Sequence, residues 1–322
     1  MSAGWARAAA PRRIAVIGNL EVDLVLGPLP AMPRWGEERI ASRRERRAAG
    51  SAGYTAIALG SLGHPALLVG PIGRDAEGEL VQAAVRGVGL PETGLIQTRG
   101  ETGLSVTLVR NDGERSFVNH LGCLEDFHPD DLEPLWPELR RVDLVLLSGY
   151  FLLPAFRGTP TARLFRRLQS EGVVTALDTG DAVEGWTDAV RAEMGEVLAA
   201  TDWLFPNEAE ACGIAGTADG YEAARRLLRL GPKKVIVKRG SRGSAAVTAD
   251  GVVDGPSFPV QVIDTVGAGD TFNAGYLAAW AEGRPDRDAL ACAAAAASLY
   301  ISSPQRTFPT REQVRQFLAD RG

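Results

Sequence analysis

Cysteine, histidine and methionine are scarce, with three of each in 322 residues. Cys123, Cys212 and Cys292 are odd in number and far apart. That excludes a disulfide framework and any zinc-ligand spacing, and a reducing cytoplasm is expected. No long hydrophobic run exists. The longest, Ala289 to Ile301, falls well short of the roughly 20 apolar residues a membrane span needs, and it is mostly weakly apolar alanine. It is predicted to be a tightly packed buried helix. A secretory signal is also missing, because the opening MSAGWARAAAPRR is broken by Arg7 and Pro11. Residues 1–12 are expected to form a flexible leader. Net charge is −5, so the basic footprint of a general nucleic-acid binder is absent. Neither nucleic acid nor a membrane is expected as a partner. No G-x-x-x-x-G-K-[ST] occurs, which argues against a Walker-type ATPase. The first strand is followed by Gly18 alone where a dinucleotide site needs G-x-G-x-x-G, which argues against a dinucleotide-dependent oxidoreductase.

What is present is ordinary globular composition, 45% hydrophobic and 23% charged. A chain of this length can bury roughly 75% of its unfolded surface. Short apolar runs at Ile14–Ile17, Ala66–Val69, Leu144–Leu147, Val173–Leu177, Trp203–Phe205 and Val235–Val237 read as strands. Between them, Glu77–Val88, Ala162–Ser170 and Tyr221–Leu230 carry helical periodicity. The alternation predicts an α/β fold with a mostly parallel central sheet covered on both faces. Such sheets bind ligands at the carboxyl ends of their strands. Two segments break the rhythm, at about 37–48 and 103–120. The second reads as two strands turning around Asn111-Asp112-Gly113. Together they predict a small antiparallel β-lid on a single domain, residues 13–322.

The strongest chemical signal is Asp264-Thr265-Val266-Gly267-Ala268-Gly269-Asp270-Thr271-Phe272-Asn273-Ala274-Gly275. Phe258–Ile263 upstream reads as a strand and Thr271–Ala281 downstream as a helix. The glycines therefore lie where a loop enters a helix. Backbone N–H groups and the positive helix end make an anion site there. A carboxylate at Asp270 beside bound phosphate makes chemical sense as a base for an attacking hydroxyl. A Gly-rich loop capped by Asp is the plainer alternative.

This stretch resembles the C-terminal signature of the ribokinase/PfkB family of carbohydrate kinases. The resemblance implies a ribokinase-like fold, Asp270 as catalytic base, and an anion hole from Gly267, Ala268 and Gly269. Further family features follow the same order along the chain. Phe205-Pro206-Asn207-Glu208-Ala209-Glu210 resembles the N-x-x-E motif. Asn207 and Glu210 lie one helical turn apart, and oxygen ligands acting through water suit a Mg²⁺ already held by ATP phosphates. An ordinary helix start with Asn207 as N-cap is the alternative. Lys238-Arg239-Gly240-Ser241-Arg242-Gly243 resembles the nucleotide loop, giving Lys238, Gly240, Ser241 and Gly243 as nucleotide contacts; a hairpin turn is the alternative. The resemblance places the Ala289–Ile301 helix and Ser302–Phe308 beside the adenine, with Cys292 near the base or as a buried thiol. SSPQRTF departs from the usual Gly-containing stretch.

At the other end, Gly18-Asn19-Leu20-Glu21-Val22-Asp23 resembles the family's opening, where Asp23 matches the carboxylate that binds substrate hydroxyls. Glu21 stands where ribokinases often carry Asn. The second signature is altered. Ala49 replaces its first glycine, Gly50 is kept, and Tyr54 takes the place of an Asn. Gly50 and Tyr54 are thus candidate acceptor contacts. The lid is rich in arginine: Arg39, Arg43, Arg44, Arg46, Arg47 and, across the hairpin, Arg115. A solvated edge is the plain reading; a face that reads a carboxylate or phosphate is the other.

These residues lead to an ATP-dependent kinase of a small sugar or sugar acid. A nucleoside kinase stays open through Tyr54 and Trp35 as stacking candidates. A non-catalytic nucleotide-binding regulator is the reading from another class, and the presence of Asp270 counts against it. The N–H groups of Ala268, Gly269 and Asp270 are expected to hold the transferring phosphoryl group. The resemblance also implies ATP and Mg²⁺, a monovalent cation (K⁺) near Asp264 and Val266, and a homodimer paired through the lids.

Overall fold

The computed structural model describes residues 11–112 and 114–321. The strands are β1 Ile14–Gly18, β2 Glu21–Leu29, β3 Arg43–Ala49, β4 Ala66–Ile72, β5 Leu95–Gln97, β6 Gly103–Arg110, β7 Arg115–His120, β8 Leu144–Ser148, β9 Val174–Asp178, β10 Trp203–Leu204, β11 Lys234–Lys238, β12 Ser244–Thr248 and β13 Gly251–Gly255. The helices are α1 Ser51–Ser61, α2 Ala76–Gly87, α3 Trp136–Leu139, α4 Thr159–Ser170, α5 Asp188–Leu198, α6 Glu208–Ala215, α7 Gly220–Leu228, α8 Ala268–Ala281, α9 Asp286–Ile301 and α10 Arg311–Ala319.

The main sheet runs β13-β12-β11-β10-β9-β8-β1-β4-β5. It is parallel from β11 to β5, and β12 and β13 are antiparallel. Alternate side chains explain why its strands are apolar throughout. In β1, Ile14 and Val16 enter the core beneath α1, α8 and α9, while Ala15 and Ile17 enter the core beneath α4 to α7. The alanines of α9 serve a close crossing. A Cβ on Gly275 of α8 would come within 2.8 Å of the Ala293 Cα, so only small residues let the two helices approach this closely.

The connections reverse direction beside β1. From it the chain steps outward to β4 and β5, then returns to β8 on the other side and steps the opposite way. Ligands bind at the carboxyl ends of strands at such a switch point. The carboxyl ends here carry Asn19, Ser148, Asp178, Asn207 and Lys238.

A second sheet, β3-β2-β6-β7, stands apart from the first. The expected lid is there, with three differences. Its long strand β2 lies outside both expected segments. β3 begins only at Arg43, so 37–42 carry no strand. β2 and β6 pair in parallel, while the two outer pairings are antiparallel. The strand expected at Phe258–Ile263 does not form, because Pro256 and Pro259 remove donors and the segment has no partner strand. The expected leader falls mostly outside the described residues. Arg12 is already docked, its N–H donating to the Ala281 carbonyl at 3.1 Å and its guanidinium to Trp280.

Candidate active site

The carboxyl ends of β9, β10 and β11 open into a cleft of about 660 Å³ that runs beneath the start of α8. Gly267 begins α8 with φ 78°, a left-handed conformation, and a Cβ there would press on Tyr300 at 3.1 Å. The Ala268 N–H bonds to the Thr265 carbonyl at 3.1 Å. That corrects the anion hole: Ala268 is engaged, while the N–H groups of Gly269 and Asp270 have no backbone partner and point into the first-turn position that favours anions.

Asp270 lines the cleft. Burial raises its carboxyl well above the usual range, Asp178, Glu210 and Asp23 add to the rise, and Lys238 opposes it. Lys238 is the local counter-charge. Its ammonium donates to Asp178 at 2.8 Å and to Asn273 at 3.5 Å, and Asn273 donates to the same Asp178 oxygen. Burial lowers the Lys238 pKa, but the surrounding carboxylates outweigh it and hold the group charged.

Asn207 and Glu210 form a reciprocal cap at the start of α6. The Asn207 N–H donates to Glu210 at 2.8 Å, and the Glu210 N–H donates to Asn207 Oδ1 at 2.8 Å. The helix-start reading is therefore right as local structure. Both residues also line the cleft. Burial pushes the Glu210 pKa up to about 7, with Asp178 adding and Lys238 opposing. Among the described residues no three His, Cys, Asp or Glu side chains are grouped to hold a metal directly. The set fits a divalent ion that arrives on phosphates and is met through water. A surplus of carboxyls with raised pKa values is what such an ion relieves.

Gly240, Ser241 and Gly243 also line the cleft, on the short connection between β11 and β12. The hairpin alternative and the nucleotide loop are thus one structure. The far wall is apolar, with Val260, Val262, Ala294, Ala297 and Ile301. Of its two readings Cys292 takes the second, a buried thiol, and does not line the cleft. It faces away on α9, in a separate cavity with Leu62 and Ala279, beside Arg284. Ser302–Phe308 does not line the cleft either. Phe308 stacks on Tyr300 at 4.6 Å.

At the lid end, Tyr54 donates to Asp23 Oδ2 at 2.5 Å and accepts from Arg47 Nε at 2.7 Å. Its ring packs edge-on against Phe308 and Tyr300, so no free face remains for a base. Trp35 is fully exposed. Gly50 lies where a Cβ would meet the Asn19 carbonyl at 2.2 Å. Arg47 and Arg115 turn inward, against the solvated-edge reading. They reach Asp264 at 3.3 and 3.4 Å. Arg43 and Arg46 do stay at the surface, paired with Glu45 and Glu77.

Asp264 and Val266 do not fit the expected K⁺ site. The Arg306 guanidinium donates to the Asp264 carbonyl at 2.6 Å and to the Val266 carbonyl at 2.5 Å. Burial opposes ionisation of Asp264, but the Val266 N–H and the three guanidinium groups hold its carboxyl below the usual range. Sequence reasoning missed Asp178, Asn273 and Arg306. Asp178 had a usable signal, a carboxylate at the carboxyl end of an apolar strand.

A nucleotide-sized cleft, an anion-binding helix start and a carboxyl beside it define a phosphotransferase with an alcohol acceptor. The pattern of the pfkB family of carbohydrate kinases matches residues 11–313, and the chain belongs to that family. It is 31% identical over 305 residues to an ATP-dependent ribose-1-phosphate kinase of Halopiger xanaduensis, covering 94% of this chain and 96% of that protein. It is 30% identical to the ribokinase of Arabidopsis thaliana, covering 95% and 80%. The structure of the Arabidopsis ribokinase with ribose and ATP superposes with a TM-score of 0.80 at 28% identity, covering 96% and 99%. Thermotoga maritima ribokinase superposes with a TM-score of 0.81 at 25% identity, covering 96% and 99%. The protein is an ATP-dependent sugar kinase. No helix among the described residues is long and apolar enough to cross a membrane.

Proposed function

We propose that the acceptor is a small sugar carrying an anionic group, of the ribose 1-phosphate class, and that Asp270 takes the proton from its attacking hydroxyl. The observation that carries this reading is the pair Arg47 and Arg115, which leave the solvent and converge on Asp264 at the lid end, Arg47 also lying 3.7 Å from Asp23. Burial lowers the Arg115 pKa; Asp264 opposes that, while Arg306 and Arg47 lower it further. A phosphate or carboxylate on the acceptor relieves that crowding and accepts bidentate hydrogen bonds. The similarity to the Halopiger enzyme supports the same class.

In this reading Asp23, exchanging Tyr54 for substrate, accepts from sugar hydroxyls, and Gly50 lets the acceptor approach the backbone. Gly240, Ser241, Gly243 and the apolar wall take the nucleotide. The Gly269 and Asp270 N–H groups hold the transferring phosphoryl oxygens, where preorganised donors act most strongly. Lys238 faces the same point. Asn207 and Glu210 meet Mg²⁺ through water; the ion supplies charge neutralisation on the phosphates. Lid closure excludes water as a competing acceptor.

A nucleoside acceptor is less well supported, since the Tyr54 ring is packed and Trp35 lies in solvent. We also propose that residues 13–322 work as one catalytic unit. The lid exposes Phe117 and Val118 on β7, and pairing with a second lid would cover them. The three free cysteines suit a reducing, cytoplasmic setting. An ADP-release panel of ribose, ribose 1-phosphate, sugar acids and nucleosides tests the reading. The sugar phosphate should be preferred; a preference for nucleosides would reject it.

A further inference from the structure

We propose that Arg306 is a built-in replacement for a monovalent cation, so that this kinase runs without K⁺ or Na⁺. The loop Asp264–Gly267 leads into α8. Its carbonyls at Asp264 and Val266 point the same way as the Asp264 carboxylate, and together they make a patch of negative potential behind the anion site. Such a patch needs a cation if the loop is to hold its shape. Here the chain supplies one.

Arg306 comes from the Ser302–Phe308 connection between α9 and α10. Its side chain is 2% exposed. Its two terminal nitrogens each donate to one of the two carbonyls, at 2.6 and 2.5 Å, and Nη2 lies 3.6 Å from the Asp264 carboxylate. The guanidinium sits 4.3 Å over the Tyr300 ring, which fixes its plane. Among the described residues Arg306 is the one non-glycine with a left-handed backbone, φ 55°. Its Nε is buried without a partner. An arginine held at an unfavourable backbone angle, with one donor left unsatisfied, is over-determined by something else. The two carbonyl bonds supply that. A small spherical ion would need both carbonyls, and both are already taken.

Arg306 is a positioning residue. It touches neither nucleotide nor acceptor and acts by fixing the carbonyls that precede Gly267, hence the direction of the Gly269 and Asp270 N–H groups. Its occupancy of the site does not depend on which sugar is the acceptor.

The test uses the full chain at constant ionic strength with K⁺, Na⁺ or tetramethylammonium chloride. Wild-type kcat/KM for ATP should change by less than about twofold among the three salts, since the site is filled by a fixed charge. Activation by K⁺ of about fivefold or more over tetramethylammonium would overturn the proposal, because a mobile ion would then be completing the site. The midpoint of thermal unfolding with ATP bound is a second readout, independent of the acceptor. It should be the same in the three salts, and a K⁺-specific rise would overturn the proposal. If no acceptor is turned over at all, the sugar assignment fails while this readout still decides the role of Arg306. Arg306→Ala, folded by circular dichroism, should lose roughly 10–100-fold in kcat/KM, the effect of removing charge-assisted bonds. Added guanidinium ion should restore part of the loss. Full activity in Arg306→Ala would also overturn the proposal. If the alanine variant does not fold, Arg306→Lys replaces it and should stay salt-insensitive, because its ammonium keeps the charge; a K⁺ requirement gained by Arg306→Lys would count against a fixed charge being sufficient.

Discussion

Lys238 donates to Asp178 at 2.8 Å beneath the start of α8, and that ion pair sets the charge of the surface on which Asp270 works. Three carboxyls, Asp178, Glu210 and Asp270, share the one ammonium. Burial, with the neighbouring carboxyls adding, raises Asp270 and Glu210 and leaves the site ready for a cation-bearing nucleotide.

Replacing Asp270 by Asn keeps shape and removes basicity. We expect kcat to fall by roughly 10²–10⁴, the range of a general base, with ATP affinity retained. The wild-type rate should also respond to pH in one direction. The base acts ionised and its pKa is raised, so kcat/KM for ATP rises with pH through that pKa and then levels. Steady-state kinetics across pH 5 to 9 check both, and near wild-type turnover in the variant would remove Asp270 from this role.

Glu210→Gln keeps one acceptor for the Asn207 N–H but loses the second oxygen, which accepts from Asn207 Nδ2 at 2.6 Å. The fold should hold, with a loss of thermal stability of about 1 kcal/mol for that bond. The Mg²⁺ concentration for half-maximal rate should rise several-fold, because a charged oxygen partner is lost. A Mg²⁺ titration of the variant reads this directly. An unchanged midpoint would leave Glu210 with the cap alone.

Glu21 is buried with its Oε2 unpartnered. Burial pushes its pKa up to about 8, nearby Asp23 adds, and the Asn19 amide opposes. In the unfolded chain Glu21 ionises near 4.5. Between these values the folded state holds a proton that the unfolded state has released. Its contribution to stability is present below about pH 4.5 and is lost as pH rises towards 8. The size is a few kcal/mol, at about 1.4 kcal/mol for each tenfold change in proton affinity. Urea unfolding of Glu21→Gln should show a flatter decline from pH 5 to 8 and higher stability at pH 8. An unaltered slope would mean Glu21 ionises normally.

Tyr54 closes Asp23 in this structure, so the two should separate kinetically. Asp23→Ala leaves sugar hydroxyl donors unpaired, at about 1–3 kcal/mol or more for a charged acceptor. Acceptor kcat/KM should drop at least tenfold, with ATP KM nearly constant. Tyr54→Phe frees Asp23 and Arg47 and keeps the ring packing on Phe308, so acceptor KM should fall or hold. Equal damage to ATP and acceptor in Asp23→Ala would indicate loss of fold.

Much of this was legible in the sequence because strand apolarity and glycine placement are local properties. β1, β8, β9, β10 and β11 appear within a residue of their expected bounds, β4 runs three residues beyond its expected end, and the Asp264–Gly275 stretch lies where a loop enters α8. β2 was not legible as a lid strand. Its register is set by β3 and β6, which are distant in sequence. Helix α9 does line the cleft, but Cys292 does not, because helical phase decides which face of α9 meets it. Ala294, Ala297, Ser298 and Ile301 share that face and Cys292 does not. The departure at SSPQRTF was legible, but nothing in it announces that Arg306 bonds a carbonyl 40 residues away.

The most direct test of the account compares ribose 1-phosphate with ribose in the wild type and in Arg115→Gln, by coupled ADP release. Wild-type kcat/KM should favour the phosphorylated sugar by roughly 10–100-fold, as one or two charge-assisted hydrogen bonds to the anion would give. In Arg115→Gln that ratio should shrink while kcat/KM for ribose stays nearly constant. Equal use of the two sugars by the wild type, or a ratio untouched by the substitution, would contradict an acceptor read through its negative charge.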